Sequence, residues 1–273
     1  MYLAIDIGGT KTLIACLNND GVISERVRFE TPKDYDKFVA ALADNVAKIS
    51  TDNLLACCVA VPGKLNREKG IGIAMGNLPW ANVPIRADVK KLVHCPVIIE
   101  NDANLAGLSE SMLIKHKYDR VLYITVSTGI GTGIIIDHAI DPAFADSEGG
   151  QMMLEHNDRL QCWEDFASGS AIVRRYGKKA RDITDEATWK HISRDLAVGL
   201  IDLIAVVQPQ VLVIGGSVGH YLERFKKPLT IDLKRYETPL VPVPPIIEAK
   251  RPDDAVLYGC YDLAKSVYGK AHS

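Results

Sequence analysis

The chain lacks a surplus of charge of either sign. Its 273 residues hold 32 Lys and Arg against 34 Asp and Glu, a formal net charge of −2, and the pI is about 6.4. A nucleic-acid footprint needs a basic face, whereas the basic pairs Lys178–Lys179 and Lys226–Lys227 are isolated and read as solvated surface. A disulfide framework is missing too. The six cysteines, Cys16, Cys57, Cys58, Cys95, Cys162 and Cys260, show no regular spacing and mostly sit in apolar runs, as reduced core thiols of a cytoplasmic protein do. No apolar run reaches the roughly 20 residues of a membrane helix; the longest candidate, 200–207, carries Asp202. No basic segment precedes the first apolar run, which Asp6 interrupts, so no secretion leader is expected. A low-complexity linker is also absent, although the length suits two domains.

What is present is one phrase used twice. Residues 2–16 and 121–136 each consist of a β-rich run, a Gly/Thr/Ser turn and a second β-rich run. Glycine allows positive φ in such turns and lets backbone N–H groups come close to a ligand. A concave row of N–H groups binds anions, phosphate above all. Two such hairpins from two chain halves could face each other across a cleft and hold a polyphosphate.

Hydrophobic periodicity predicts strands at 2–7, 11–17, 22–28, 54–61 and 97–100, with helices at 34–50 and 85–92 and another beginning near Asn104. The second half repeats the order: strands at 121–126 and 132–137, a looser segment over 141–170, a helix at 186–207, strands at 211–214 and 245–248, and a last helix from Asp254. Paired strands followed by alternating helix and strand, done twice, predict two α/β domains of common topology. The expected division is 1–104, joined by the C-terminal helix 254–273, and 105–253.

Several segments carry polar groups that a packed core does not need. Asp6 ends a buried strand, where an unpaired carboxylate is costly; facing a cleft it would hold a hydrated Mg²⁺, with Gly8, Gly9, Thr10 and Lys11 on phosphate. Thr125 to Gly133, with Thr128, Gly129 and Gly131 at its turn, lacks the lysine ending of a Walker A loop and leads into a strand, so a second phosphate hairpin is the better fit. Glu100, Asn101, Asp102 and Asn104 crowd the carboxyl end of an apolar strand, where ligands of α/β sheets bind. Asp102 is the candidate general base for a substrate hydroxyl and Asn101 a substrate ligand, while helix N-capping is the bland alternative for either. Asn77, Glu148, Gln151 and Glu164 lie in irregular segments and suit the reading of a polyol. Gly215, Gly216 and Ser217 follow the last long buried strand and would admit a flat base, unless they are a simple turn.

Taken together, these segments resemble the ROK sugar kinases of the actin-like (ribonuclease H-like) superfamily, over almost the whole chain and in the same order. Asp6 to Thr12 looks like that family's first phosphate motif, Thr125 to Gly133 its second and Val213 to Ser217 its adenosine motif, while Pro62–Gly63, Asn77 with Trp80, and Asn101–Asp102 match its sugar segments. The resemblance implies a two-domain fold with a cleft, Mg-ATP-dependent transfer to a hexose hydroxyl with Asp102 as base, domain closure over the sugar, and a homodimer. It does not extend to the family's zinc segment. Gln151 stands in place of the histidine of Glu-x-Gly-His, and Cys162 and Glu164 are what remains of Cys-x-Cys-Gly-x-x-Gly-Cys-x-Glu. Structural zinc needs about four ligands, so no zinc is expected. Glucose is the first expected substrate; N-acetylmannosamine, N-acetylglucosamine and fructose follow, and polyphosphate is an alternative donor. The competing functions are a non-catalytic sugar sensor and a chaperone-type ATPase domain. The sensor is disfavoured because Asp6 and Asp102 are both kept and the chain begins directly at the first phosphate strand; the ATPase domain is disfavoured by length and by Glu100 to Asp102.

Overall fold

The computed structural model describes every residue except Asp52, Pro252 and 270–273. Residues 270–273 form the end of the expected C-terminal helix 254–273 and lie outside the described residues. Two compact units emerge, Met1–Ser109 with Asp253–Ser273, and Glu110–Pro252.

The first unit opens with β1 (Tyr2–Ile7), β2 (Lys11–Leu17) and β3 (Ile23–Glu30), followed by α1 (Tyr35–Val46) and β4 (Ala56–Val61). Three short strands come next, β5 (Lys64–Asn66), β6 (Ile71–Ala74) and β7 (Ala81–Val83), then α2 (Ile85–Val93), β8 (Val97–Asn101) and α3 (Asp102–Leu113). The main sheet has the order β3-β2-β1-β4-β8; β1 runs antiparallel to β2 and parallel to β4, and β4 runs parallel to β8. Every residue of β4 is buried, as a central parallel strand requires. Asp34 caps α1, its carboxylate accepting from Lys37 N at 2.9 Å, and Phe38, Leu42 and Val46 present one buried face. The helix stops at Val46 instead of running on to Ser50, because short turns from Lys48 N to Asn45 O (3.3 Å) and Ile49 N to Val46 O (3.0 Å) leave Ile49 in the core. The sheet β5-β6-β7 goes beyond the sequence expectation; its strands are too short to show alternation.

The second unit repeats the plan. It holds β9 (Arg120–Val126), β10 (Ile130–Ile136), β11 (Ala139–Ile140), β12 (Met153–His156), β13 (Arg159–Cys162), α4 (Trp163–Ala167), α5 (Gly169–Tyr176), α6 (Glu186–Val207), β14 (Val211–Gly215), α7 (Gly216–Gly219), α8 (Leu222–Lys234) and β15 (Ile246–Glu248). Its sheet order, β11-β10-β9-β14-β15, again sets an antiparallel hairpin beside parallel strands. The segment 141–170, expected to be loose, contains the ribbon β12–β13 and α4. The left-handed pair Asn157 (φ 53°) and Asp158 (φ 57°) makes that ribbon's turn. α8 was not expected from sequence: Pro228 lies inside it, yet Leu222, Phe225, Leu229 and Leu233 bury one face. Trp189 stacks on Phe225 with centroids 5.3 Å apart.

The chain ends in α9 (Ala255–Tyr268), which packs in the first unit. Tyr261 meets Tyr2 edge-on at 5.4 Å and its hydroxyl donates to Asn19 O at 2.7 Å. Gly259 lies so close to the Leu105 carbonyl that no side chain fits there. Among the described residues no helix is long and apolar enough to cross a membrane.

Candidate functional site

In the first unit β1 is apolar apart from Asp6, one residue before the first glycine turn. Gly8 N donates to Lys11 O at 3.0 Å and closes that turn, leaving Thr10 and Lys11 exposed. A Cβ on Gly9 would stand 2.8 Å from Asn77 Cβ, so glycine is what lets the turn approach the Asn77 segment. Lys33 ties the same two segments together: its Nζ donates to Gly9 O at 2.8 Å and to Asn77 O at 3.0 Å. The Lys33 carbonyl accepts from the Trp80 indole at 2.8 Å, and the Thr31 hydroxyl donates to Gly8 O at 2.8 Å. Neither Lys33 nor Thr31 stands out in the sequence, since a lysine just ahead of a helix reads as solvated surface.

The segment at the end of β8 is organised by its own side chains. Asn101 Oδ1 accepts from Ala103 N (2.9 Å) and Asn104 N (3.2 Å), so Asn101 does cap α3, and its Nδ2 donates to Gly63 O at 3.3 Å. One amide hydrogen remains for a ligand. Asp102 Oδ1 accepts from Ala103 N at 2.8 Å. Burial pushes the Asp102 carboxyl up to about 6, against the lowering pull of backbone N–H groups. Asp6 keeps a solvent-facing edge, yet burial, and next the negative charge of Asp102, push it up to about 7, with Arg26 opposing.

No hydrogen bond reaches the Asp6 carboxylate from the described residues. A carboxylate so placed calls for a cation, and Mg²⁺, which keeps most of its waters and takes one or two protein carboxylates beside phosphate oxygens, fits it. Among the described residues no group of three or more His, Cys, Asp or Glu could hold a metal.

In the second unit Ser127 N donates to Gly129 O at 2.9 Å, forming the turn between β9 and β10 and leaving Thr128 exposed and Gly129 and Gly131 half-buried. A Cβ on Gly129 would lie 2.5 Å from Glu164 Oε2, which itself accepts from Ile130 N at 3.1 Å. Glu164 Oε1 accepts from Gln151 Nε2 at 2.6 Å, and the Cys162 thiol lies 3.7 Å from Gln151 Oε1 and 3.5 Å from Met153 Sδ. Gln151 is therefore engaged through both ends of its amide with its own protein. Thr132 holds the turn that carries Glu148 and Gln151, its hydroxyl donating to Ser147 O (3.2 Å) and accepting from Gly149 N (3.1 Å).

At the last turn, Gly216 has φ +79° and a Cβ there would come 2.6 Å from Thr125 Oγ1. These glycines thus make room for β9; Gly215 is buried, and Ser217 remains exposed. A cavity of about 200 Å³ in this unit is lined by the ribbon, by α4 through Phe166 and by α5 through Arg175, and by none of the expected site residues.

The ROK family model matches residues 2–267. A glucokinase of Streptomyces coelicolor is 29% identical over 314 residues, covering 97% of this chain and 98% of that protein. An N-acetylmannosamine kinase of Vibrio cholerae serotype O1 is 30% identical over 271 residues, 88% of this chain and 93% of that protein. The crystal structure of a ROK family glucokinase from Streptomyces griseus in complex with glucose and AMPPNP is similar with a TM-score of 0.82 at 24% identity, covering 97% of this chain and 99% of that one. The fold is the two-domain actin-like fold.

Proposed function

The chain belongs to the ROK family and is a sugar kinase, a phosphotransferase with an alcohol acceptor, and from that premise we propose that it transfers the γ-phosphoryl group of ATP to a hexose hydroxyl, O6 of glucose first. The observation that carries the proposal is the pair of half-buried acids, Asp6 on β1 and Asp102 at the start of α3, close enough that the charge of Asp102 raises Asp6, with Asp102 itself held up to about 6. A general base works best with its pKa close to the operating pH. Asp102 takes the proton of the hydroxyl as its oxygen attacks the γ-phosphorus in line, and ADP leaves. Asn101, Asn77 and Gly63 from the first unit and Glu148 and Glu164 from the second are assigned to the sugar. Gly8, Gly9, Thr10, Lys11, Thr128, Gly129 and Gly131 are assigned to the phosphates, and Gly215, Gly216 and Ser217 to the adenosine. Mg²⁺, held through water by Asp6, would offset the charge of the phosphate oxygens. Gln151, whose Nε2 keeps a second hydrogen beside the one donated to Glu164, is assigned to the sugar with it. N-acetylmannosamine, N-acetylglucosamine and fructose are the alternative acceptors, polyphosphate the alternative donor, and a homodimer the proposed assembly in the cytoplasm.

The test is ADP release with Mg-ATP across hexoses and N-acetylhexosamines, with Asp102→Asn as control. Sugar-dependent turnover that the substitution abolishes is expected and would name the acceptor. Saturable sugar binding without turnover on any acceptor would identify a sensor.

A further inference from the structure

Glu100 is buried, with 5% of its surface exposed, immediately ahead of Asn101 and Asp102, and nothing in the transfer chemistry requires a carboxylate there. A buried carboxylate without partners is costly, so its partners show its job. Arg67, in the turn between β5 and β6, grips it with both arms of the guanidinium: Nε donates to Oε2 at 2.7 Å and Nη2 to Oε1 at 2.6 Å. Oε1 also accepts from Asn101 N at 2.7 Å and Asn104 Nδ2 at 3.0 Å. The two amides belong to the residue before Asp102 and to a residue in the first turn of α3. Glu100 thus holds the backbone on the near side of Asp102 and the first helical turn on its far side, while Asn101 Nδ2 anchors the same segment to Gly63 O at 3.3 Å.

We propose that Arg67 and Glu100 are a positioning pair for the base. Arg67 fixes the Glu100 carboxylate, and Glu100 fixes the strand-to-helix junction from which Asp102 projects. Neither side chain touches the reacting atoms. The bidentate geometry matters, because a planar fork meeting a carboxylate at two points fixes its orientation, whereas a single ammonium leaves it free to rotate. The arrangement also extends the base's support to the small sheet β5-β6-β7, since Arg67 lies in one of its turns. This inference rests on Asp102 being the base.

The test compares the wild-type protein with Arg67→Met, Arg67→Lys and Glu100→Gln in the sugar-dependent ADP-release assay. Each rate is divided by the folded fraction measured by circular dichroism, and sugar affinity is measured by calorimetry. A displaced base costs turnover more than binding, so Arg67→Met is expected to lower kcat by roughly 10²-fold, while the sugar Kd, which feels the pair only through Asn101, changes by a clearly smaller factor. Arg67→Lys, which restores the charge without the fork, is expected to recover part of the loss. Glu100→Gln keeps the side-chain volume and is expected to lower kcat in the same way; it decides the matter where Arg67→Met folds poorly. If kcat per folded molecule is unchanged in Arg67→Met, or in Glu100→Gln where the first variant does not fold, the pair is merely structural and the proposal is overturned. Wild-type turnover that survives Asp102→Asn would instead overturn the base assignment, and the pair with it.

Discussion

The two glycine hairpins share a plan and differ in chemistry. The first is preceded by a half-buried acid, Asp6, followed by Lys11, and steadied by Lys33 through the Gly9 and Asn77 carbonyls. The turn of the second, Ser127 to Gly131, contains no charged residue; the nearest charge is the Glu164 carboxylate resting on Gly129 and Ile130 N. In both, a glycine packs against a side chain assigned to the sugar, Asn77 in one unit and Glu164 in the other. A duplicated backbone has therefore kept the contact between phosphate turn and sugar residue, while the titratable chemistry has gathered in one copy. The second hairpin can offer backbone N–H groups and the hydroxyls of Ser127 and Thr128, all neutral donors, and Glu164 already takes the Ile130 N–H.

The largest effect that would test this division is at the base. Asp102→Asn is expected to lower kcat by about 10²- to 10⁴-fold with sugar binding by calorimetry retained; unchanged turnover would return the acid-base work to some other group. Next come the two contact glycines. Gly9→Ala and Gly129→Ala are each expected to lower kcat/KM by roughly tenfold to hundredfold. Gly129→Ala should raise the sugar KM as well, since its new methyl displaces Glu164. Combined with Glu164→Gln it should be clearly less than additive, and full additivity would show that the contact carries no coupling.

The third effect is on pH dependence. Turnover is expected to decline as pH falls through about 6, where Asp102 takes up its proton, and a rate profile flat down to pH 5 would break the assignment. Stability should move the opposite way. Both acids sit above the ordinary 3.8, so the folded state favours their protonated forms. The stability they contribute is full at low pH and is lost as pH rises through about 6 and 7. Asp102→Asn at pH 7 is therefore expected to be more stable than wild type by on the order of 1 kcal/mol, a rise of a few degrees in Tm. A drop in Tm would show that the bond from Ala103 N to the carboxylate outweighs the cost of its burial. The smallest signal is analytical: metal analysis of the purified protein is expected to find no stoichiometric zinc, and one zinc per chain would overturn the reading of Gln151 and Cys162.

Much of the doubled α/β plan was legible because its strands are apolar: the runs 2–7, 54–61, 121–126 and 211–214 signal strands by hydrophobicity, and the structure moves their bounds by no more than two residues. The ribbon of Met153 to Cys162 was not, because Met153 and Leu160 expose their apolar side chains to solvent and the pattern of a buried face is missing. Helix α8 hid behind Pro228, whose cost is met by contacts with α6 that no local rule contains. At the site, Glu100 was legible as one of the polar groups crowding the end of an apolar strand, and its burial was not. Nothing local points to Arg67, 33 residues away in sequence. Lys33 was invisible for the same reason: its two acceptors are main-chain carbonyls, which every residue has.

The placement of α9 bears on synthesis. The sheet that carries Asp6 and abuts Asp102 is covered by a helix from the end of the chain, with Tyr261 on Tyr2 and Gly259 against Leu105. A nascent chain emerging from the ribosome presents β1 and β4 first and their cover last, so the apolar face they share must wait uncovered while the whole second unit is translated. Domains that can close on themselves fold as they emerge; this first unit cannot, and contacts between residues 2 and 261 are the kind of distant pairing that slows folding. A chain interrupted anywhere between residues 103 and 254 would carry both acids and still lack the helix that completes their unit.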